Sequence, residues 1–100
     1  MQTVRLKLIT IVGEALLRDR LVDDIKRLGA RGCSVGEVDG EGSRGVRASE
    51  WEGANLRLET LVTPDVAQRL LVLLARDYFP HFAVVAWTSE VHVVRGEKYA

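Results

Sequence analysis

A four-stranded antiparallel sheet with two helices on one face is the α+β fold this sequence predicts, and three observations predict it. Four segments carry the period-two or continuous apolar pattern of strands. Two longer segments carry apolar residues at helical spacing. These follow one another as β-α-β-β-α-β along 100 residues, the size of one domain.

The first strand runs from Val4 to Val12. Val4, Leu6 and Leu8 point one way and Arg5 and Lys7 the other, which gives one wetter face. Gly13 punctuates it. Leu17, Leu21, Ile25 and Leu28 then recur at helical spacing between charged residues, and Gly29 stops that helix. Cys33 to Val38 reads as a second strand, weakened by Gly36. The stretch from Gly40 to Gly53 is rich in Gly, Ser and charge and predicts a mobile loop. Alternation returns from Ala54 to Val62 as a third strand.

Thr63-Pro64-Asp65 is a strong helix start: Thr can cap, Pro suits the first helical position, and Asp favours the positive helix end. Val66, Leu70, Leu74 and Tyr78 form the apolar stripe of that helix, with Pro80 beyond its end. Ala83 to Thr88 is a fourth strand, which Val91 to Val94 either extends or follows as a short fifth. The order is that of the ferredoxin-like sandwich. Nothing divides it, so a single domain is expected over residues 1–100.

Composition narrows the function. The apolar share of 47% and charged share of 28% are ordinary for a globular chain. Fourteen basic and fourteen acidic side chains cancel, so no long-range field gathers nucleic acid or an anionic membrane. Cys33 is the only cysteine, which excludes an intrachain disulfide and a multi-cysteine metal site and suits a reducing cytoplasm. Neither a signal peptide nor a membrane-spanning stretch is visible, so a soluble cytoplasmic protein is expected.

Gly40-Glu41-Gly42-Ser43-Arg44-Gly45 satisfies a G-x-G-x-x-G pattern after a strand, and Glu59 stands at a tempting distance for a ribose-binding acid. A dinucleotide fold requires a helix to open there. Val46 to Gly53 lacks helical periodicity, so that fold is rejected. The loop still has the parts of an anion site. Its glycines let backbone N–H groups approach a phosphate, Ser43 adds a hydroxyl, and Arg44 and Arg47 add planar donor forks. On composition alone, a solvated hairpin loop with incidental arginines accounts for the segment better.

The remaining candidates are weaker. His81 and His92 are the only histidines, without a Cys or Asp cluster beside them, and read as solvated. Cys33 reads as a small packed residue. Trp87 is expected in the core or a subunit interface, and Trp51 either anchors a partner or packs on its own loop. Acylphosphatases share this size and fold, but Val12-Gly13-Glu14 puts an acid where they need an anion cradle. No Ser-His-Asp or Cys-His arrangement and no general base beside the loop argue for an enzyme. A regulatory domain for an amino acid or metal stays open as an alternative, with a small phosphate-ester hydrolase behind it.

Gly29-Ala30-Arg31-Gly32-Cys33-Ser34-Val35, followed by Gly40-Glu41-Gly42-Ser43-Arg44-Gly45-Val46-Arg47-Ala48-Ser49, resembles the signature of PII-like signalling proteins linked to bicarbonate uptake and carboxysomes. Ala54 to Glu59, the second helix and Tyr78-Phe79 are similar to the same group, so the resemblance covers nearly the whole chain. It implies a homotrimer of ferredoxin-like subunits that is no enzyme and has no catalytic cofactor or metal. Each cleft between subunits would take an adenine nucleotide as effector, and bicarbonate is a further candidate ligand. The loop at about 40–53, the T-loop of the family, would dock on a bicarbonate transporter or a carboxysome-associated protein.

Carried over by position, Ser34 would sit near adenine, and Gly40 and Gly42 would form the loop base near ribose and phosphate. Ser43, Arg44 and Arg47, with Val46 between the arginines, would approach phosphate. Glu59 and Leu61 would lie beside the base. The glycine-rich, lysine-ended loop of nitrogen-sensing PII proteins is replaced here by Tyr78-Phe79-Pro80-His81-Phe82, and their modified tyrosine is absent. The cysteine pair that ends the carbon-linked proteins is also missing. AMP, ADP or cyclic AMP is therefore expected ahead of tight Mg-ATP.

Overall fold

A computed structural model describes residues 1–39 and 55–100. Strand β1 spans Thr3–Glu14, helix α1 Arg18–Arg27, strand β2 Ser34–Val38, strand β3 Asn55–Val62, helix α2 Pro64–Asp77 and strand β4 Val84–Val94. Short 3-10 turns at Ala15–Leu17 and Gly96–Lys98 precede α1 and follow β4. The antiparallel sheet has the order β2-β3-β1-β4, with both sequence-distant strands β1 and β3 at its centre. This is the ferredoxin-like α+β sandwich that the pattern of elements predicts.

The core lies between one sheet face and the two helices. Ile9 and Ile11 of β1 and Leu56, Leu58 and Val62 of β3 pack with Leu17, Leu21, Ile25, Val66, Leu70, Leu74 and Tyr78. Both helical stripes predicted from spacing therefore face the sheet, with Leu28 only partly buried at the end of the first. Helix α1 closes as expected at Gly29, whose φ is +118°. The N–H groups of Gly29 and Ala30 donate to the carbonyls of Lys26 and Ile25, which satisfies two otherwise orphaned acceptors. A Cβ at Gly29 would also stand 3.1 Å from Val66.

Helix α2 starts where Thr63-Pro64 predicts. The Val66 N–H donates to the Thr63 hydroxyl across 3.4 Å, and Pro64 occupies the first turn, where its missing N–H costs nothing. Replacing Thr63 with Ala is expected to lower stability by about 0.5–2 kcal/mol. The long bond favours the low end, and the midpoint of urea unfolding with an unchanged m value reads it.

The strand pairing settles two points that the sequence leaves open. The fourth strand is a single one to Val94, because β1 is long enough to pair with it from Thr3 through Gly13. In the first half of β1 the wetter side is turned toward the helices' layer: Lys7 pairs with Val62 of the core. There Arg5 and Lys7 reach Glu90 at 3.3 and 3.6 Å. Val4, Leu6 and Leu8 point to the outer face. Both faces of β1 are therefore apolar over part of its length.

Candidate functional site

The outer face of the sheet carries the polar groups that the sequence marks. Alternation along β3 puts Asn55, Arg57, Glu59 and Leu61 on that face, since Leu56, Leu58 and Val62 belong to the core. The register then sets their neighbours. Ser34 of β2 lies opposite Glu59, Glu59 opposite Thr10 of β1, and Thr10 opposite Trp87 of β4. One row of four residues crosses the whole sheet. In the next row toward the end of β1, Gly36, Arg57, Val12 and Val85 follow in the same order. Leu61 stands opposite Leu8 on the other side.

Within these rows the side chains interact. The Thr10 hydroxyl donates to Glu59 Oε2 at 3.3 Å, and the Arg57 guanidinium donates to the same oxygen at 3.3 Å. The Arg57 guanidinium carbon stands 5.7 Å from the centre of the Trp87 ring, within the range of a cation–π contact. The Arg57 contacts are in the open and individually weak. Together they hold one carboxylate and one guanidinium beside the exposed Ser34.

Of the residues expected to form the site, Ser34, Glu59 and Leu61 are thus brought onto one face. Gly40, Gly42, Ser43, Arg44, Val46 and Arg47 lie outside the described residues, as does Trp51. β2 ends at Val38 and β3 begins at Asn55, and these two residues pair. The segment that joins the strands therefore leaves and returns at the same end of the sheet.

Thr10, Arg57 and Trp87 were absent from the sequence-derived set. Arg57 was within reach of sequence reasoning, being two residues from Glu59 on the same side of a strand. Thr10 needed the pairing register. Trp87 is expected in the core or a subunit interface, and the first of these is corrected: it is 44% exposed on the outer face. Its pairing with Thr10 puts it on the sheet face opposite the helices, which pack against Ile9 and Ile11.

Glu14 also finds its role. It is 4% exposed, and its Oε2 accepts the Ala83 N–H at 2.9 Å. This fastens the end of β1 to the start of β4. Cys33 is partly buried against the core, and His81 and His92 are exposed. Among the described residues no group of three or more His, Cys, Asp or Glu is placed to hold a metal ion, and no helix is long and apolar enough to cross a membrane.

The ferredoxin-like sandwich hosts many functions, and comparison with known proteins identifies the family. Residues 6–98 match the model of the family described as Nitrogen regulatory protein P-II, and the chain belongs to that family as a PII-like signalling protein. A PII-like signaling protein from Thermus thermophilus is 52% identical over the whole of both chains, with a TM-score of 0.87. CPII from Thiomonas intermedia K12, solved with ADP and bicarbonate, shares the fold. Its identity is 20% and its TM-score 0.84, with 99% of this chain and 98% of that one covered. A second structure of CPII, with ADP, AMP and acetate, has a TM-score of 0.83.

Proposed function

We propose that this protein is a homotrimeric sensor that binds an adenine nucleotide in the clefts between its subunits and reports the bound state through the loop at 40–53. AMP, ADP or cyclic AMP is the effector, ahead of tight Mg-ATP. Bicarbonate is a second effector, and the regulated partner belongs to inorganic-carbon uptake, a bicarbonate transporter or a carboxysome-linked protein. The observation that carries the reading is the Ser34–Glu59 pair on the same β2–β3 ladder whose Val38–Asn55 end opens into a loop bearing Ser43, Arg44 and Arg47. The ADP, AMP and bicarbonate bound by CPII point to the same ligands.

Physically, the outer face supports assembly. Val85 and Trp87 are exposed on it, and Leu8 and Leu61 are only partly buried. A domain of this size gains by covering such a face with copies of itself. Phosphate oxygens would satisfy loop donors, order the loop and change the surface shown to a partner. The shift is limited to the difference in ligand affinity between the two loop states.

Calorimetry with AMP, ADP, ATP and cyclic AMP, each with and without bicarbonate, tests the reading. One saturable site per subunit is expected, with ATP not the tightest ligand. Sedimentation at micromolar concentration is expected to give a trimer. A clean monomer, or no binding to any of the four, would remove this reading in favour of a domain for another small ligand.

A further inference from the structure

The sheet narrows at one end. β1 pairs with β4 from Thr3 to Gly13, but with β3 only from Lys7 to Glu14. Thr3 to Leu6 and Val91 to Val94 therefore project as a two-stranded ribbon, a form that is marginal in water unless one face is packed. On the helix side the ribbon carries Arg5 opposite His92. On the outer side Val4 stands opposite Val93, and Leu6 opposite Val91. That side is apolar throughout, yet Leu6 is only 1% exposed.

The cover is the chain's own continuation. Arg95, with φ +63° the one non-glycine residue of positive φ among the described residues, turns the path after β4. The Gly96–Lys98 turn then packs on β1. Gly96 is buried, and a Cβ there would stand 2.9 Å from Val4 Cβ and 3.1 Å from Val93 Cβ, so glycine alone seats. The Tyr99 N–H closes the turn on the Gly96 carbonyl at 2.9 Å, and the Arg31 guanidinium donates to the Ala100 carbonyl at 3.4 Å. Arg95, Glu97 and Lys98 stay exposed. The segment thus turns its smallest residue to the valines and its charges to water. We propose that residues 95–100 are a built-in cap on the ribbon, and that without them its apolar face takes a second copy of this chain. The bared face is self-complementary, and the free edge of β4 beside it offers unpaired backbone groups to the same neighbour.

The test compares the wild type with a chain ending at Val94 and with Gly96→Val, whose added side chain cannot seat. In both variants the backbone amides of residues 3–6 and 91–94 are expected to exchange hydrogen about tenfold faster or more. Those of Ile9 and Ile11 in the core are expected to keep their wild-type rates. Sedimentation is expected to show species larger than the wild-type assembly, growing with concentration. Lys98→Ala, on the solvent side, is expected to change neither readout. Wild-type exchange in both variants overturns the proposal, and so does faster exchange without a larger species. Assemblies smaller than the wild type's overturn it too, because residues 95–100 would then build a contact between copies instead of capping one. Neither readout involves a nucleotide, so failure here leaves the nucleotide reading standing.

Discussion

Tyr78→Phe is expected to lower stability by about 1.5–3 kcal/mol, the range for a hydrogen bond to a charged group. The Tyr78 hydroxyl donates to Asp24 Oδ2 at 2.6 Å in the interior between the two helices. Phe keeps the ring that fills the core and removes only the donor. Asp24 retains its ion pair with Arg27, but its buried oxygen is left without a partner, which is the costly half of a broken hydrogen bond. Urea unfolding at one fixed subunit concentration measures the loss, since stability of an assembled protein depends on that concentration. A change below about 0.5 kcal/mol would mean that water replaces the hydroxyl.

The same residue sets an alkaline limit. Burial first, and then the hydrogen bond and charge of Asp24, push the Tyr78 phenol well above its ordinary value, while Arg20 opposes them. The guanidinium of Arg20 lies over the ring, 4.6 Å from its centre. The unfolded chain gives up this proton near the ordinary value of about 10, while the folded chain holds it to higher pH. The contribution is therefore complete below about pH 10 and lost as pH rises above it. The stability difference between wild type and Tyr78→Phe is expected to be flat across neutral pH and to shrink under alkaline conditions.

Arg44→Ala is expected to weaken nucleotide binding by about 1.5–3 kcal/mol while leaving thermal unfolding of the free protein unchanged. The argument is one of chemistry and spacing. Ser43, Arg44 and Arg47 follow Gly40 and Gly42 in the segment that joins the two strands carrying Ser34 and Glu59, and a guanidinium fork matches phosphate oxygens two at a time. Calorimetry of the variant against the tightest nucleotide of the wild type checks it. Unchanged affinity would remove this arginine from the site.

Much of this was legible in the chain because the signals were local. A Thr-Pro-Asp start, a glycine at a helix end and apolar spacing each act within one or two turns, and each predicted element formed. The outer-face site was half legible. Ser34, Glu59 and Leu61 came from a resemblance carried by neighbouring residues. Thr10 joins them only through strand pairing across 49 positions of sequence, and Trp87 only through its pairing with Thr10 in turn. The direction of β1 was not legible for a related reason. Alternation reports that two faces differ, and when Leu6 and Leu8 lie on one and Ile9 and Ile11 on the other, it does not say which face the helices cover.

The sequence by itself determined the order of elements, the ends of both helices and the family, because those depend on backbone preferences and residue types near one another. Tertiary structure alone decided that Tyr78 meets Asp24 from 54 residues away, that Glu14 fastens Ala83, and that two donors converge on one oxygen of Glu59. Such contacts are set by how strands register and helices dock. That is a property of the whole packed core, and no stretch of chain carries it alone.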